Sequence, residues 1–545
     1  MPAAGFNTVR MPAKTGRHAI CAASTWLAKA TVCAVLLVSS LSMPASAAPA
    51  YDAQSPPPPA QVQPSIVYNS ETNTIEVKGP GTVVSLTTIS DALNDQALLE
   101  RTGPSEWLLK ANISMLEQTR LEIHGTAASG DVDWLKLLSQ PEGFVSIESS
   151  NGQISIRNTK VTSWDATAGA FDNEYLDGSK RAFVSIKNRR SEFTDNRMDV
   201  IDSEIAYLGY FEETAYGISW KVISEPGRGD TGGLGRGLTG TVTGSKFHHN
   251  YFGLYVWGVG DMVVRNNEFY ENYFYGFDAH TVTQRTILED NFSHDNGGHG
   301  IIFADRCTGN EVRRNRTVNN TGHGIMLHES SDNNIIEDNT VTGNDDGIPI
   351  FESSNNVIAR NVVRDNNVGV RVYGRNTASR DNTFEDNEIT GSASYGVYMY
   401  DAAVGNAFRN NEIVSNGDAG IYGKSVSENI FSGNTIQGNE FGIRLDSADV
   451  RALSRGNEIR DNVISDSRQY GLYSYGSADA NTVEGNQYSG NLLGDTVFLD
   501  RKVGPFAGIQ IAQSLRLGLV AAIVLVAIVG AVIVFVRTRE RRAAK

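Results

Sequence analysis

The stretch Tyr275-Gly-Phe-Asp-Ala-His280 is one line of a repeat that runs through most of the chain. Its glycine returns every 22 to 29 residues, at Gly253, Gly276, Gly300, Gly324, Gly347, Gly369, Gly396, Gly420, Gly442 and Gly471. An asparagine returns in a second phase, at Asn267, Asn291, Asn315, Asn339, Asn361, Asn387, Asn411, Asn434, Asn462 and Asn486. Two residue types held in phase at such a period are typical of a solenoid, in which each repeat stacks on the last.

The recurring apolar residues are mostly Ile, Val and Phe in short runs, which favours strands without helices. Successive turns of the coil, here called rungs, would stack at about 4.8 Å, so that equivalent side chains form ladders. Asn suits the bends, because it tolerates left-handed backbone and can hydrogen-bond to its copies. Gly relieves crowding where the coil turns tightly. We therefore predict an all-β fold, a parallel β-helix with turns of about 22–24 residues, over residues 116–500.

Strand alternation decides which side chains of each rung point outward. The residues one and three positions after each glycine, such as Phe277 and Ala279, are mostly apolar and are expected in the core. The second and fourth positions then face solvent and bring His, Arg and aromatic residues together on one face. Such a row, if locally basic, suits an extended acidic polysaccharide. A solvated sheet face with some large residues is the plain alternative.

The beginning of the chain has the pattern of a secretory signal. Residues 1–30 carry basic side chains and no acid, an apolar run follows, and Pro44-Ala-Ser-Ala-Ala48 ends it. This pattern predicts a signal peptide over 1–47 and then a stiff, proline-rich linker over 48–64. Residues 65–115 mix short β-like runs with a predicted helix around 90–100, and we expect them to cap the open end of the sheets.

The end of the chain predicts a membrane anchor. Leu517 to Val536 is a run of 20 residues without a charge, and several arginines follow it. That length spans a bilayer, and the basic tail over 537–545 is expected to stay in the cytoplasm. We predict a linker over 501–516, a transmembrane helix over 517–536, and an exported β-helix on the outer side of the cytoplasmic membrane. A buried soluble helix is the alternative.

The composition excludes several classes of function. The formal net charge of −15 argues against nucleic acid as a partner, and an anionic ligand would need a local basic strip. Cys21 and Cys33 fall in the predicted signal peptide, so that Cys307 has no partner for a disulfide and no Cys-based metal site exists. Carboxylates at Asp345-Asp346 and Asp338 are candidates for Ca²⁺. Turn residues in a solvated ladder explain them better, and we predict no metal or cofactor.

A possible chemical group is centred on His280. Asp278 lies two residues before it on one strand, so both side chains project outward and can interact. A neutral imidazole can take a proton near neutral pH, and an adjacent carboxylate can orient it. Arg306 lies one rung on, and a guanidinium there can neutralise charge that builds on a carboxylate beside the carbon that loses its proton. By spacing alone, such a trio is structural more often than catalytic.

Several longer motifs resemble the mannuronan C-5-epimerases of the alginate-exporting bacterial type. They lie roughly between Ser150 and Gly396 and include Ser163-Trp-Asp165, Gly217-Ile-Ser-Trp220, Phe247-His-His-Asn-Tyr-Phe252, Tyr275-Gly-Phe-Asp-Ala-His280 and His299-Gly-Ile-Ile302. The resemblance implies an exported, right-handed parallel β-helix. It also implies an Asp-Pro-His-Asp motif, whose His abstracts the C-5 proton, and an Arg one rung later.

This sequence keeps part of that motif. His280 and Arg306 correspond to the base and the arginine, and Asp278 keeps the first Asp, whereas Ala279 and Thr281 replace the Pro and the second Asp. The resemblance implies a polyuronate C-5-epimerase, an isomerase, with His280, Arg306 and Asp278 as its catalytic residues. The residues predicted to bind substrate are Tyr275, His328, Arg371, Tyr373 and Tyr400.

Two other functions are compatible with the sequence. A polysaccharide lyase begins with the same proton abstraction and then expels the C-4 oxygen. A non-catalytic surface module would only bind glycan. In each case the expected partner is an anionic polysaccharide, with the membrane as a second partner through the C-terminal helix.

Overall fold

The computed structural model describes residues 62–174, 179–189, 196–223, 237–448, 453–476 and 480–499. They form a coil of short strands arranged in three sheets. The predicted signal peptide over 1–47, nearly all of the linker over 48–64, and everything from 500 onward lie outside these residues. The predicted transmembrane helix over 517–536 therefore also lies outside the described residues. Within the described ranges, no helix combines the length and the apolar character that crossing a bilayer requires.

Sheet 1 has 17 strands. They are Ser65–Asn69, Thr74–Lys78, Asn112–Leu116, Ser146–Ser150, Phe183–Arg189, Ile218–Ile223, Leu254–Trp257, Phe277–His280, Ile301–Ala304, Ile325–His328, Asp346–Phe351, Val368–Arg380, Tyr395–Val404, Ala419–Lys424, Phe441–Asp446, Tyr470–Tyr475 and Gly494–Leu499. Apart from the first pair, which is antiparallel, neighbouring strands run parallel. The register matches the glycine phase of the sequence, since Phe277 pairs with Ile301 and His280 with Ala304.

Sheets 2 and 3 complete each rung. Sheet 2 contains Val83–Ser85, Arg120–His124, Gln153–Arg157, Asn196–Ile201, Leu238–Thr239, Thr241–Thr243, Val263–Arg265, Ile287–Glu289, Glu311–Arg313, Ile335–Glu337, Val357–Ala359, Thr383–Glu385, Ala407–Arg409, Ile430–Ser432, Glu458–Arg460 and Thr482–Glu484. Sheet 3 contains Leu99–Arg101, Glu106–Leu109, Trp134–Gln140, Gly143–Phe144, Lys160–Trp164, Glu204–Ala206, Lys246–His248, Glu268–Tyr270, Phe292–His294, Arg316–Val318, Thr340–Thr342, Val362–Arg364, Glu388–Thr390, Glu412–Val414, Thr435–Gln437, Val463–Ser465 and Gln487–Ser489.

The coil begins inside the predicted cap region, because Thr74–Lys78 already pairs in parallel with Asn112–Leu116. The α-helix here is Leu86–Leu93, earlier than the helix expected around 90–100. It starts early because the Ser85 hydroxyl accepts a hydrogen bond from the backbone N–H of Thr88, which caps its first turn. It ends at Asn94, which takes a left-handed conformation. A single 3₁₀ turn, Thr126–Ala128, follows.

Among the described residues, three asparagine ladders hold the rungs together, whereas the sequence repeat predicted one. In the predicted ladder, the Nδ2 of Asn291 donates to the Oδ1 of Asn315 at 2.9 Å, and that contact repeats along the column. Two further columns begin at Asn272 and Asn310. Most ladder residues are buried, and the left-handed backbone falls on the residue before each one, such as Asp290. The predicted hydrogen bonds are thus confirmed, whereas the left-handed conformation predicted for Asn was assigned one residue too late.

The repeated glycine is required by close packing between rungs. A Cβ at Gly276 would lie 2.1 Å from the Ser293 hydroxyl and 2.7 Å from the Gly300 carbonyl oxygen. The core confirms the predicted alternation, because Phe277, Ala279 and Phe303 are fully buried in one continuous apolar cluster. Sheet 1 therefore presents its second and fourth positions on its outer face, and the candidate site lies on that face.

Candidate functional site

His280 ends strand Phe277–His280 and lies on the outer face of sheet 1. Its ring stacks on the indole of Trp257, one rung earlier, with centroids 5.6 Å apart and planes 14° apart. The Nδ1 atom is buried and has no hydrogen-bond partner among the described residues. The half-exposed ring is therefore held by packing rather than by a hydrogen bond to Nδ1, which leaves Nε2 as the nitrogen able to meet a substrate.

Asp278 is on the same outer side but is covered, with only 1% of its surface exposed. In the sheet register it lies between Tyr255 and Ile302, and no described residue hydrogen-bonds its Oδ1 atom. Burial raises the pKa of Asp278 to about 6, against the opposing effect of His280. The prediction that Asp278 faces solvent is therefore wrong, because side chains of neighbouring rungs close over it. Its predicted pairing with His280 is electrostatic, without a direct hydrogen bond between the described atoms.

We expect Asp278→Asn to stabilise the fold above about pH 6 and to change little below about pH 4. Because burial raises the pKa of Asp278, the folded state holds this proton more tightly than the unfolded chain, so native stability falls as pH rises through the folded value. The difference corresponds to about 3 kcal/mol at neutral pH. Urea unfolding of both proteins at low and high pH measures it, with exposed Asp401→Asn as the control. Equal stabilities above neutral pH would contradict the expectation.

Arg306 lies in the turn that follows strand Ile301–Ala304, one rung beyond His280. Its Nε and Nη2 atoms bind the Asp305 carboxylate at 2.7 and 3.0 Å. Asp305 and Arg306 both have positive φ, of 61° and 64°, so the turn is tightly constrained. The Thr281 hydroxyl donates to the Oδ2 of the same carboxylate at 2.8 Å. The structure therefore brings Arg306 to the His280 end of the strands, already paired with Asp305, and this pairing was not predicted.

Thr281 is one of the two departures from the family motif, and its contact explains why an acid there would be unfavourable. An aspartate at 281 would place a second carboxylate against Asp305, and two like charges in contact repel. Arg306, and secondarily Thr281, lowers the pKa of Asp305, so the acid is ionised at neutral pH. The carboxylate near His280 at this corner of the coil is therefore that of Asp305, which belongs to the next rung.

A stack of rings runs along the coil just ahead of the sheet 1 strands, on the residue that precedes each repeat glycine. The ring of Tyr275 stacks on His299 at 4.6 Å, and His299 stacks on His323 at 4.7 Å. The His299 Nδ1 accepts a hydrogen bond from the backbone N–H of His323. Burial lowers the pKa of His299 to about 3, so this ring is neutral. Tyr275 is a predicted substrate-binding residue; His299 and His323 were not predicted, although both precede a glycine of the repeat as Tyr275 does.

The other predicted binding residues lie further along this face. Tyr373 and Tyr400 stack on adjacent rungs with centroids 4.5 Å apart. His328 is two rungs, about 10 Å, from His280 in the same register column. Arg371 donates from Nη2 to Asp346 at 2.7 Å, and the side chain of Asp346 is only 2% exposed. The structure thus sets these four residues in line along the coil rather than around one sugar-sized position.

Two lysines on the other side of Trp257 were also missed. Lys187 and Lys221 continue the register column of His280 toward earlier rungs. The Lys221 ammonium lies 4.4 Å from the centroid of the Trp257 ring and pairs with Glu213, and Lys187 pairs with Glu148. An anionic ligand was expected to need a local basic strip; here each lysine of that strip is already paired with a glutamate. Alternation along strands Phe183–Arg189 and Ile218–Ile223 is the signal that could have found these lysines.

The carboxylates considered for Ca²⁺ separate into two places. Asp338 is at the corner between sheets 2 and 3, where its carboxylate binds Arg360 at 2.9 Å. Asp345 and Asp346 group with His323, with potential ligand atoms within 4.8 Å of one another. The Arg371 guanidinium already neutralises Asp346, and a cation beside it would be repelled. We assign no metal chemistry to this group.

Known proteins resemble this chain in sequence and in fold. Residues 230–376 match the family described as periplasmic copper-binding protein (NosD), and residues 368–515 match the right-handed β-helix region. A mannuronan C5-epimerase of Pseudomonas putida is 26% identical over 296 residues, which cover 53% of this chain and 53% of that protein. A second one, from Pseudomonas syringae pv. tomato, is 29% identical over 219 residues, which cover 40% and 39%.

A solved structure shares the fold. A mutant of the periplasmic alginate epimerase AlgG superposes with a TM-score of 0.54 at 24% identity, over 63% of this chain and 80% of that one. The chain spans about half the length, or less, of the curated relatives it matches. These likenesses confirm the family resemblance read from the motifs, together with the right-handed parallel β-helix.

Proposed function

We propose that this right-handed β-helix protein, a relative of the mannuronan C5-epimerases, inverts C-5 of uronate residues within a polysaccharide. One observation carries the proposal. The imidazole of His280 and the guanidinium of Arg306 lie on adjacent rungs, at the same end of the sheet 1 strands, and His280 stacks on an aromatic ring of the outer face. Such a pair supplies what C-5 inversion needs, a base for the proton and a cation for the carboxylate next to it.

In the first step of the proposed reaction, the Nε2 of His280 takes the C-5 proton. The C–H bond breaks, an N–H bond forms, and the electron pair spreads onto the uronate carboxylate. Arg306 stabilises the charge that builds there, because a guanidinium can bind both oxygens of a carboxylate. In the second step a proton reaches C-5 from the opposite face, from water or another acid. A new C–H bond inverts the centre, and the polymer is not cut.

The contacts of the outer face suit a polymer better than a free sugar. Tyr275, His328, Arg371, Tyr373 and Tyr400 follow one another over several rungs, and each rung adds about 4.8 Å. We propose that they contact neighbouring sugars of one bound chain. Arg371 would act through hydrogen bonds with its Asp346 pair intact, because removing one partner of a buried ion pair is strongly unfavourable.

Deuterium incorporation tests the proposal. Polymannuronate incubated with the protein in deuterated water is expected to gain deuterium at C-5 and guluronate signals in its NMR spectrum, with unchanged chain length. Shortened chains with unsaturated ends would identify a lyase, because elimination follows the same proton abstraction. Binding without either change would leave only a glycan-binding surface. Absence of incorporation on every polyuronate tried would refute the epimerase.

The proposal includes a place for the protein in the cell. One structural relative is described as a periplasmic alginate epimerase, and the resemblance supports export of this chain as well. An exported β-helix could meet a polysaccharide outside the cytoplasm. Anchoring by residues 517–536 remains a prediction, and detection of the chain in membrane fractions before and after deletion of that segment tests it.

A further inference from the structure

The guanidinium of Arg306 is engaged by a carboxylate of the chain itself. Asp305 binds it at two points, through Nε at 2.7 Å and Nη2 at 3.0 Å, which is the geometry a uronate carboxylate would use. The side chain of Asp305 is 30% exposed and that of Arg306 is 47% exposed. The pair is therefore open to solvent at the edge of the face on which the proposed base lies.

Exposure decides which ion pairs of this face a substrate can replace. An ion pair in contact with water is worth little, because water and salt screen it, whereas separating a buried pair leaves an uncompensated charge. Asp346 is almost fully buried under Arg371, and the ammonium of Lys221 is buried beside Glu213. Among these pairs, Asp305–Arg306 is the one that a ligand carboxylate can exchange at low cost.

We propose that Asp305 is a specificity-determining residue that occupies Arg306 until a uronate carboxylate takes its place. This inference rests on the proposed function. The substrate's two oxygens replace the two oxygens of Asp305, so the exchange conserves charge and hydrogen bonds. A sugar without a carboxylate has no group that can replace the Asp305 carboxylate, so the Asp305–Arg306 ion pair stays intact.

Thr281 can hold the Asp305 carboxylate in place after Arg306 has left it. Its hydroxyl donates to the Asp305 Oδ2 at 2.8 Å, the oxygen that also accepts from the Arg306 Nη2. When Arg306 binds the substrate, this hydrogen bond keeps the Asp305 side chain in its position and leaves its carboxylate with a donor. The replacement of an acid by Thr at 281 and the presence of Asp at 305 therefore work together.

The test is binding of a mannuronate oligomer in the His280→Gln background, measured by calorimetry, so that turnover plays no part. Asp305→Asn keeps the acceptor for Thr281 but removes the competing charge. We expect it to tighten binding roughly 1.5- to fivefold, the range set by the worth of an exposed ion pair. The methyl ester of the same oligomer should bind both proteins equally, because it has no carboxylate to exchange.

Two controls separate exchange from other effects. Asp290→Asn breaks an exposed pair of the same geometry with Arg314, away from this face, and should leave binding unchanged. Glu329→Gln removes an equal charge one rung on at the same corner, and its effect should be clearly smaller than that of Asp305→Asn.

Weaker binding by Asp305→Asn would show that Asp305 positions Arg306 rather than competing for it, and would overturn the inference. Unchanged binding, or an equal gain for the methyl ester, would overturn it as well. The deuterium experiment on the unmodified protein keeps the two ideas apart. If C-5 exchange occurs and Asp305→Asn does not tighten binding, this inference alone fails, whereas absence of exchange refutes the proposed function.

Discussion

Replacing His280 by Gln is expected to lower the rate of C-5 deuterium incorporation about 10²- to 10⁴-fold, the usual contribution of a general base. Glutamine fills a similar volume and can still pack on Trp257, but it cannot take a proton near neutral pH. Because packing holds the ring and its Nδ1 has no described partner, the substitution removes no hydrogen bond of the fold. Polymer binding should therefore persist while turnover is lost.

The matched control for His280→Gln is His294→Gln. His294 is another half-buried histidine, but it lies on sheet 3 and pairs with Glu268 and Asp295. Its replacement should leave the rate unchanged. A His280→Gln protein that is folded by circular dichroism and still exchanges C-5 hydrogen at the original rate would exclude His280 as the base.

Arg306→Ala is expected to lower the same rate about 10²- to 10³-fold, as loss of a group that stabilises developing charge does elsewhere. The effect should fall mainly on kcat, because the charge on the uronate carboxylate grows as the proton leaves. Arg306→Lys should recover only part of the loss, since an ammonium keeps the charge but cannot bind both oxygens in the plane of a fork. Initial rates over a range of polymer concentrations separate kcat from KM.

Arg314→Ala is the control for Arg306, because Arg314 is an equally exposed arginine in a two-point pair with an aspartate at another corner. Stability should fall little in either variant, as both pairs are exposed. If Arg306→Ala raised KM alone and kept kcat, Arg306 would serve binding and some other group would have to stabilise the intermediate.

The repeat is the part of the molecule in which sequence and structure agree most fully. The spacing of Gly276 and Gly300 predicted the rung, and the alternation after each glycine predicted that Phe277 and Ala279 face the core. Both follow from local geometry, because a strand alternates its side chains whatever it packs against. The asparagine ladder was also predictable, since a residue that recurs with the rung must meet its own copies.

The state of each outer residue could not be predicted in the same way. Asp278 and His280 share one face, yet Asp278 is covered while His280 is half exposed. The difference arises from the rungs on either side, where Tyr255 and Ile302 lie against Asp278. Alternation assigns a side to a residue, but the size of its neighbours, two dozen residues away in sequence, decides whether water reaches it.

The sequence by itself determined the coil, its period and the face on which His280 lies, because the repeat specifies these through periodicity alone. Only the tertiary structure decided that Arg306 is held by Asp305, that Thr281 supports that acid, and that His299 and His323 extend the Tyr275 stack. Those contacts join residues of adjacent rungs or neighbouring turn positions. Their geometry depends on side-chain packing and positive-φ turns, which a linear pattern does not specify.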